Sequence, residues 1–245
     1  MRYIKLVVAY DGTNYSGFQR QKNAIGVQQV LEKALGKIMG EVINLAASGR
    51  TDTKVHAHGQ VVSFQTNGSV PTKNIPLAVK KYLPNDIVVK VAQEVDKDFH
   101  ARYGAKEKTY KYHIVVNKIP DPFIRNYAWE INTPLDINEM NKAAKELLGK
   151  HDFSAFRNAG SAPVSPIRTM TVAKWEQKGK REYIFTITGD GFLYHMVRNI
   201  VGPLVKVGLG KITAKDFHKI LLSKERKMAG MAAPPQGLYL EEVRY

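Results

Sequence analysis

The 245-residue chain contains no cysteine. That excludes disulfides, thiolate metal sites and thiol nucleophiles, and it fits a reducing compartment. No apolar run approaches the length needed to cross a bilayer. The N-terminal run, Ile4-Lys5-Leu6-Val7-Val8, is too short and too charge-interrupted for a signal peptide. It reads as a first strand, and the expected location is the cytoplasm. Phosphate-cradling glycine motifs and dinucleotide fingerprints are missing, since Gly12, Gly17 and Gly26 fit neither spacing. So is a Gly-x-Ser-x-Gly elbow. His56 and His58 stand two apart without a third ligand motif, so no metal is expected. Negative charge is scarce: 22 Asp+Glu stand against 37 Lys+Arg, a formal net charge of +15. A field of that sign attracts phosphate polyanions and makes their binding salt-sensitive, which points to nucleic acid as partner.

The apolar patterning orders the elements. Ile4 to Tyr10 predicts a strand ending at the Asp11-Gly12 turn. Val27, Val30, Leu31, Ala34, Leu35, Ile38 and Met39 share one helical face, which Gly40 stops. Strands follow over 42–47 and 59–66, then a short helix over 75–83 with Asn74 as cap and Pro84 as stop, then a strand over 87–95. The second half repeats that order. A strand is expected over 110–116, then a polar loop over 117–133. Asp136 and Glu139 start a helix carrying Ile137, Met140, Ala144 and Leu147. A Ser/Ala/Pro-rich loop over 154–166 precedes strands over 168–176 and 182–188. A helix over 193–207 is bent or interrupted at Gly202-Pro203. Thr213 with Asp216 caps another, and a last strand covers 238–243. Twice β-α-β-β-α-β is the ferredoxin-like order, shared with RNA-recognition modules. The expected fold is therefore α+β: two ferredoxin-like halves, residues 1–104 and 105–245, with antiparallel sheets joined around a central basic cleft.

Candidate chemistry gathers at Ala47-Ser48-Gly49-Arg50-Thr51-Asp52-Thr53-Lys54-Val55-His56-Ala57, between two expected strands. A strand-turn-strand reading puts Arg50 and Asp52 at the exposed connection. A carboxylate acting as nucleophile or base must be ionised, and a nearby guanidinium favours that form. Tyr194, His195, Arg198 and Asn199 form a polar group on an otherwise apolar helix, as a cleft-lining face would. Tyr110 and Tyr112 share one side of their strand, where one could stack on a base or both could be ordinary sheet tyrosines. A glycoside hydrolase needs paired carboxylates, and Asp52 stands alone. A non-catalytic RNA-binding protein would use the same charge and aromatics but gains nothing from a carboxylate among phosphates.

Several motifs resemble the TruA-type tRNA pseudouridine synthase family, in order along nearly the whole chain. They are Tyr10-Asp11-Gly12-Thr13 with Tyr15 and Gly17-Phe18-Gln19-Arg20-Gln21; Gly49-Arg50-Thr51-Asp52; Phe99-His100-Ala101-Arg102 with Lys108-Thr109-Tyr110-Lys111-Tyr112; His151-Asp152-Phe153; Phe192 to Gly202; and Ala233-Pro234-Pro235 with Gly237-Leu238-Tyr239-Leu240. The resemblance implies isomerisation of uridine to pseudouridine in the anticodon stem-loop of tRNA by a homodimer, with neither metal nor organic cofactor. It implies that Asp52 is the catalytic aspartate and that Arg198 pairs with its carboxylate. Arg50 would contact the RNA backbone or hold the flipped nucleotide, and Tyr110 would stack on the target uracil. The pattern departs at Thr53-Lys54, where the family usually carries Ala-Gly; glycine there permits backbone angles that lysine disfavours.

Overall fold

The structure, a computed structural model, describes residues 1–160 and 165–245. In chain order its main elements are β1 (Arg2–Tyr10), α1 (Val27–Met39), β2 (Ala46–Ala47), β3 (His56–Thr66), α2 (Ile75–Lys80), β4 (Ile87–Glu94) and β5 (Glu107–Val116). They continue with β6 (Trp129–Ile131), α3 (Ile137–Lys145), β7 (Gly149–Asp152), β8 (Ile167–Lys178) and β9 (Glu182–Gly189). The chain closes with α4 (Met196–Gly208), α5 (Ala214–Ser223), α6 (Arg226–Ala229) and β10 (Leu238–Arg244). Two compact units result: Met1–Lys106 together with Tyr239–Tyr245, and Glu107–Leu238. The class is α+β with mostly antiparallel sheet.

In the first unit β1 lies between β4 and β3 and is antiparallel to both, and β2 pairs antiparallel with β3. The order β4-β1-β3-β2 is that of a ferredoxin-like unit. Alternation along β1 buries Ile4, Leu6 and Val8 completely, as period-two patterning requires. Helix α1 buries Val27, Leu31, Ala34, Leu35 and Met39, and Gly40 ends it in the left-handed conformation (φ 71°), where the missing Cβ removes the steric cost. The last strand returns to this unit: Tyr239 and Leu240 pair in parallel with His56 and Ala57 of β3.

In the second unit β9 lies between β5 and β8, antiparallel to both, and β7 pairs with the other side of β8. Tyr112, Ile114, Phe185 and Ile187 are fully buried, and Trp175 stacks on Phe185 with ring centroids 5.0 Å apart. Asp136 accepts from the backbone N–H groups of Asn138 and Glu139, capping α3. Thr213 and Asp216 form a reciprocal capping box on α5.

Several local expectations change. The strand expected over 42–47 shrinks to Ala46–Ala47: Val42 is 88% exposed, and Leu45 gives its N–H to the Glu32 carboxylate rather than to a neighbouring strand. Asn74 does not cap α2 through its side chain; the chain enters through a 3-10 turn at Thr72–Asn74. The polar loop after β5 contains β6, which runs parallel to β5. The expected Ser/Ala/Pro-rich loop begins with a 3-10 turn, Ser154–Phe156, and its residues 161–164 lie outside the described residues. Helix α4 starts at Met196, three residues later than expected, because His195 adopts φ 61°, and it runs through Gly202-Pro203 to Gly208 without interruption.

Candidate active site

In the first unit, the turn from Ser48 to Val55 joins β2 to β3 and carries Arg50 and Asp52. Its entry is tied to β3: Ser48 N–H donates to the Val61 carbonyl at 2.8 Å. The fully buried Gln60 accepts from Ser48 Oγ at 2.7 Å and donates to the Gly49 carbonyl at 3.0 Å. The middle of the turn is fixed from β1 and the loop after it. Thr51 Oγ1 lies 2.8 Å from the buried Tyr10 hydroxyl, and Phe18 N–H donates to the Thr51 carbonyl at 3.1 Å. Burial raises the Tyr10 phenol pKa far above its ordinary value, so it serves there as a neutral hydroxyl.

Gly17 (φ 86°) lies flat against this backbone; a Cβ there would stand 2.6 Å from the Thr51 carbonyl oxygen. The exit is a tight turn in which Val55 N–H donates to the Asp52 carbonyl at 3.1 Å. Lys54 adopts φ 63° and donates its N–H to the Tyr15 carbonyl at 3.2 Å. The departure at Thr53-Lys54 therefore keeps a glycine-like conformation and bears its strain. The Asp52 residue is half-exposed and Arg50 is exposed, so a rigid backbone presents a reachable carboxylate.

His56 is held within the same unit. Its Nδ1 accepts from Gly12 N–H at 3.0 Å, and its ring stacks on Tyr239 at 4.7 Å. His58 Nδ1 instead lies 2.9 Å from a Glu241 carboxylate oxygen. Among the described residues no group of three or more His, Cys, Asp or Glu side chains could hold a metal ion. No described helix is long and apolar enough to cross a membrane.

Tyr110 and Arg198 belong to the second unit. Tyr110 is opposite Ile187 on β5 and meets the Phe192 ring edge-on, with centroids 4.9 Å apart. Tyr112 is fully buried and donates its hydroxyl to the Pro234 carbonyl at 2.7 Å, which makes it a core residue. Arg198 Nε donates to the Ala233 carbonyl at 2.8 Å, while the Arg198 carbonyl accepts from Ala233 N–H at 2.9 Å. The α4 arginine and the Ala233-Pro234 segment are thus tied in both directions.

Asn199 does not line an open face as its helical position implied. It is fully buried and donates to the Phe156 carbonyl at 2.8 Å and to Asn158 Oδ1 at 3.0 Å. Arg226 completes this network, donating Nε to Asn158 Oδ1 and a terminal nitrogen to Asn199 Oδ1, each at 2.7 Å. The supporting residues Tyr10 and Gly17 were present in the sequence motifs without a role, and Gln60 lay within the strand expected over 59–66. The available signal was Gln60 itself, an amide directly before the apolar pair Val61-Val62.

A family model described as tRNA pseudouridine synthase matches residues 6–104 and 143–245. A match over that share of the chain, with the turn intact, defines the class as an enzyme of the isomerase type. The chain is 52% identical over 248 residues to "tRNA pseudouridine synthase A" of Thermoanaerobacter sp. (strain X514), covering all of both chains. It is 48% identical over 245 residues to the protein of that name from Acetivibrio thermocellus, again covering all of both. Among solved structures it resembles a chain of a Cbf5-Nop10-Gar1 complex with a TM-score of 0.38 and 12% identity, covering 96% of this chain and 57% of that one. The chain belongs to the tRNA pseudouridine synthase A family.

Proposed function

We propose that the chain isomerises uridines of the tRNA anticodon stem-loop, with Asp52 as the catalytic carboxylate and Arg50, Tyr110 and Arg198 as substrate-binding residues. Uridine-to-pseudouridine conversion in tRNA is the family's reaction. The stem-loop target and the four residue roles rest on the motif resemblance. The reaction breaks the N1–C1′ bond, turns the uracil in place and joins C5 to C1′; the proton lost from C5 is balanced by one gained at N1. Reactant and product have the same atoms and oxidation level, so the rearrangement needs no co-reactant. Asp52 can add to the base, attack C1′ or remove a sugar proton, and all three routes require it ionised. A base within a helical stem must first leave its stack, at a cost of a few kcal/mol. Phosphate contacts from a chain of net charge +15 offset that cost.

The observation that carries this reading is the Asp52 turn, fixed by Tyr10, Gln60 and Phe18 yet leaving Asp52 half-exposed. Preorganised geometry of this kind is what a chemical step needs and a binding surface does not. The test is incubation of purified protein with unmodified tRNA, with and without chelator, followed by chemical mapping of pseudouridine. Wild type should modify stem-loop uridines in both conditions, and Asp52→Asn should bind tRNA without modifying it. Turnover by Asp52→Asn, or modification confined to other regions, would overturn the assignment. Assembly as a homodimer and a cytoplasmic location accompany this reading, and sedimentation of the purified protein tests the former.

A further inference from the structure

The second unit carries an aromatic and basic surface that no step of the uridine chemistry uses. Phe123 is 86% and Ile119 82% exposed, on a segment that is firmly built. Ile124 N–H donates to the Asp121 carbonyl at 3.2 Å, and Tyr127 N–H to the Ile124 carbonyl at 2.8 Å. Two of the local carboxylates serve the loop itself, and Glu182, next to Arg181, lies 3.3 Å from His113 Nδ1. Glu130 accepts from the Asn117 amide and Asp121 N–H, both at 2.9 Å, and Asp121 accepts from Phe123 N–H at 2.9 Å. The hairpin between β8 and β9 adjoins this segment: Val116 N–H donates to the Arg181 carbonyl at 2.8 Å, and an Arg181 terminal nitrogen lies 3.3 Å from Asn117 Oδ1. That hairpin adds Lys178, Lys180 and Arg181 to Lys118 and Arg125, all exposed.

We infer that this surface is a second contact for the tRNA chain, with Phe123 stacking on an unpaired base and the flanking lysines and arginines holding phosphates. The inference rests on the tRNA substrate of the proposed function. A ring beside several cations matches the stacking platform and electrostatic groove that bind single-stranded nucleic acid. Self-association through the same face would oppose like charges, which is unfavourable. The surface lies at the far end of β5 from Tyr110, six residues along the strand and so about 20 Å away. It therefore reads a different part of the RNA from the target uridine.

The test compares Lys118→Ala/Lys178→Ala/Lys180→Ala, Phe123→Ala, and a charge-matched control on exposed helix and loop positions, Lys145→Ala/Lys211→Ala/Lys215→Ala. Binding of unmodified tRNA is measured across a salt series, with kcat at saturating tRNA. The first triple variant should raise Kd about tenfold in roughly 0.1 M salt and flatten the log–log salt slope by about two. Phe123→Ala should raise Kd about fivefold. In both, kcat should hold. Kd ratios no larger than the control's would overturn the assignment, as would unchanged tRNA binding with an altered sedimentation coefficient, which would give the surface to a second copy. A wild type that binds tRNA but makes no pseudouridine would sink the proposed function, while the same Kd ratios would still judge this surface.

Discussion

The hydroxyls of Tyr10 and Thr51 lie 2.8 Å apart in a buried site, linking the end of β1 to the residue before Asp52. Removing the phenol oxygen in Tyr10→Phe leaves the Thr51 hydroxyl without this buried partner, at a cost of about 1–2 kcal/mol. The larger effect should be catalytic. A turn released from β1 misplaces its carboxylate, so kcat should fall about tenfold with KM for tRNA nearly unchanged. A rise in KM with kcat preserved would place the hydroxyl pair in binding instead.

Gly17 offers a sharper version of the same test. A Cβ added at this position would meet the backbone of Thr51, Asp52 and Thr53 at 2.6, 3.2 and 3.3 Å, and none of those atoms can rotate away. Gly17→Ala should therefore shift the turn and lower kcat about a hundredfold. Gly40 also has a positive φ but faces open space. Gly40→Ala should cost about 1 kcal/mol of stability and leave kcat alone. Equal losses of activity in the two variants would refute a specific role for the Gly17 contact.

Lys54 holds φ 63° without a glycine's freedom. Lys54→Gly should relieve about 1 kcal/mol of backbone strain, raising Tm by about 2–4 °C. If tRNA affinity falls at the same time and the salt slope flattens, the side chain contacts phosphate as well. A lower Tm would show that the strain is offset by contacts of the lysine itself.

These positions mark the limit of what the sequence made legible. Periodicity found β1, α1, β5, β8 and β9, because their buried faces repeat at two or 3.6 residues. It also found the α5 capping box, a purely local device. It missed β7, whose residues Gly149-Lys150-His151-Asp152 carry no apolar pattern, and α6, which is one turn long. It misread Val42, because β-branched character favours strand whether or not a partner arrives. Asn199 looked like part of a polar cleft face, since helical position says where a side chain points and not what packs over it. The Arg50-Thr51-Asp52 motif was visible at once. Its bracing by Tyr10, Gly17 and Gln60 was not, because those contacts join residues far apart in the chain.

The α5 capping box has a defined acid limit. Hydrogen bonds from Lys219 and Thr213 hold the Asp216 carboxyl down at about 2, below the ordinary carboxylate range. A depressed folded pKa stabilises the native state fully above the unfolded value of about 4, and the effect fades as pH falls through about 2. Asp216→Asn should therefore lower Tm at pH 6 and differ less from wild type near pH 2. A gap that widens on acidification would reverse the assigned sign.

Arg226 is the remaining keystone of the second unit. Besides Asn158 and Asn199 it donates to the Gly230 carbonyl at 2.7 Å, so one guanidinium joins the loop before β8, α4 and the segment leading to β10. Desolvation lowers its pKa, but an arginine remains charged, and neutral oxygens accept its protons. Arg226→Met strands those acceptors and should cost about 2–3 kcal/mol. Because Asn199 adjoins Arg198, kcat should also fall, with the midpoint of thermal unfolding reported alongside to separate the two effects. Arg226→Lys restores the charge without the planar fork, so it should recover only part of the stability and little of the turnover. Full rescue by lysine would mean that charge alone, and not the fork joining three segments, is what the fold uses.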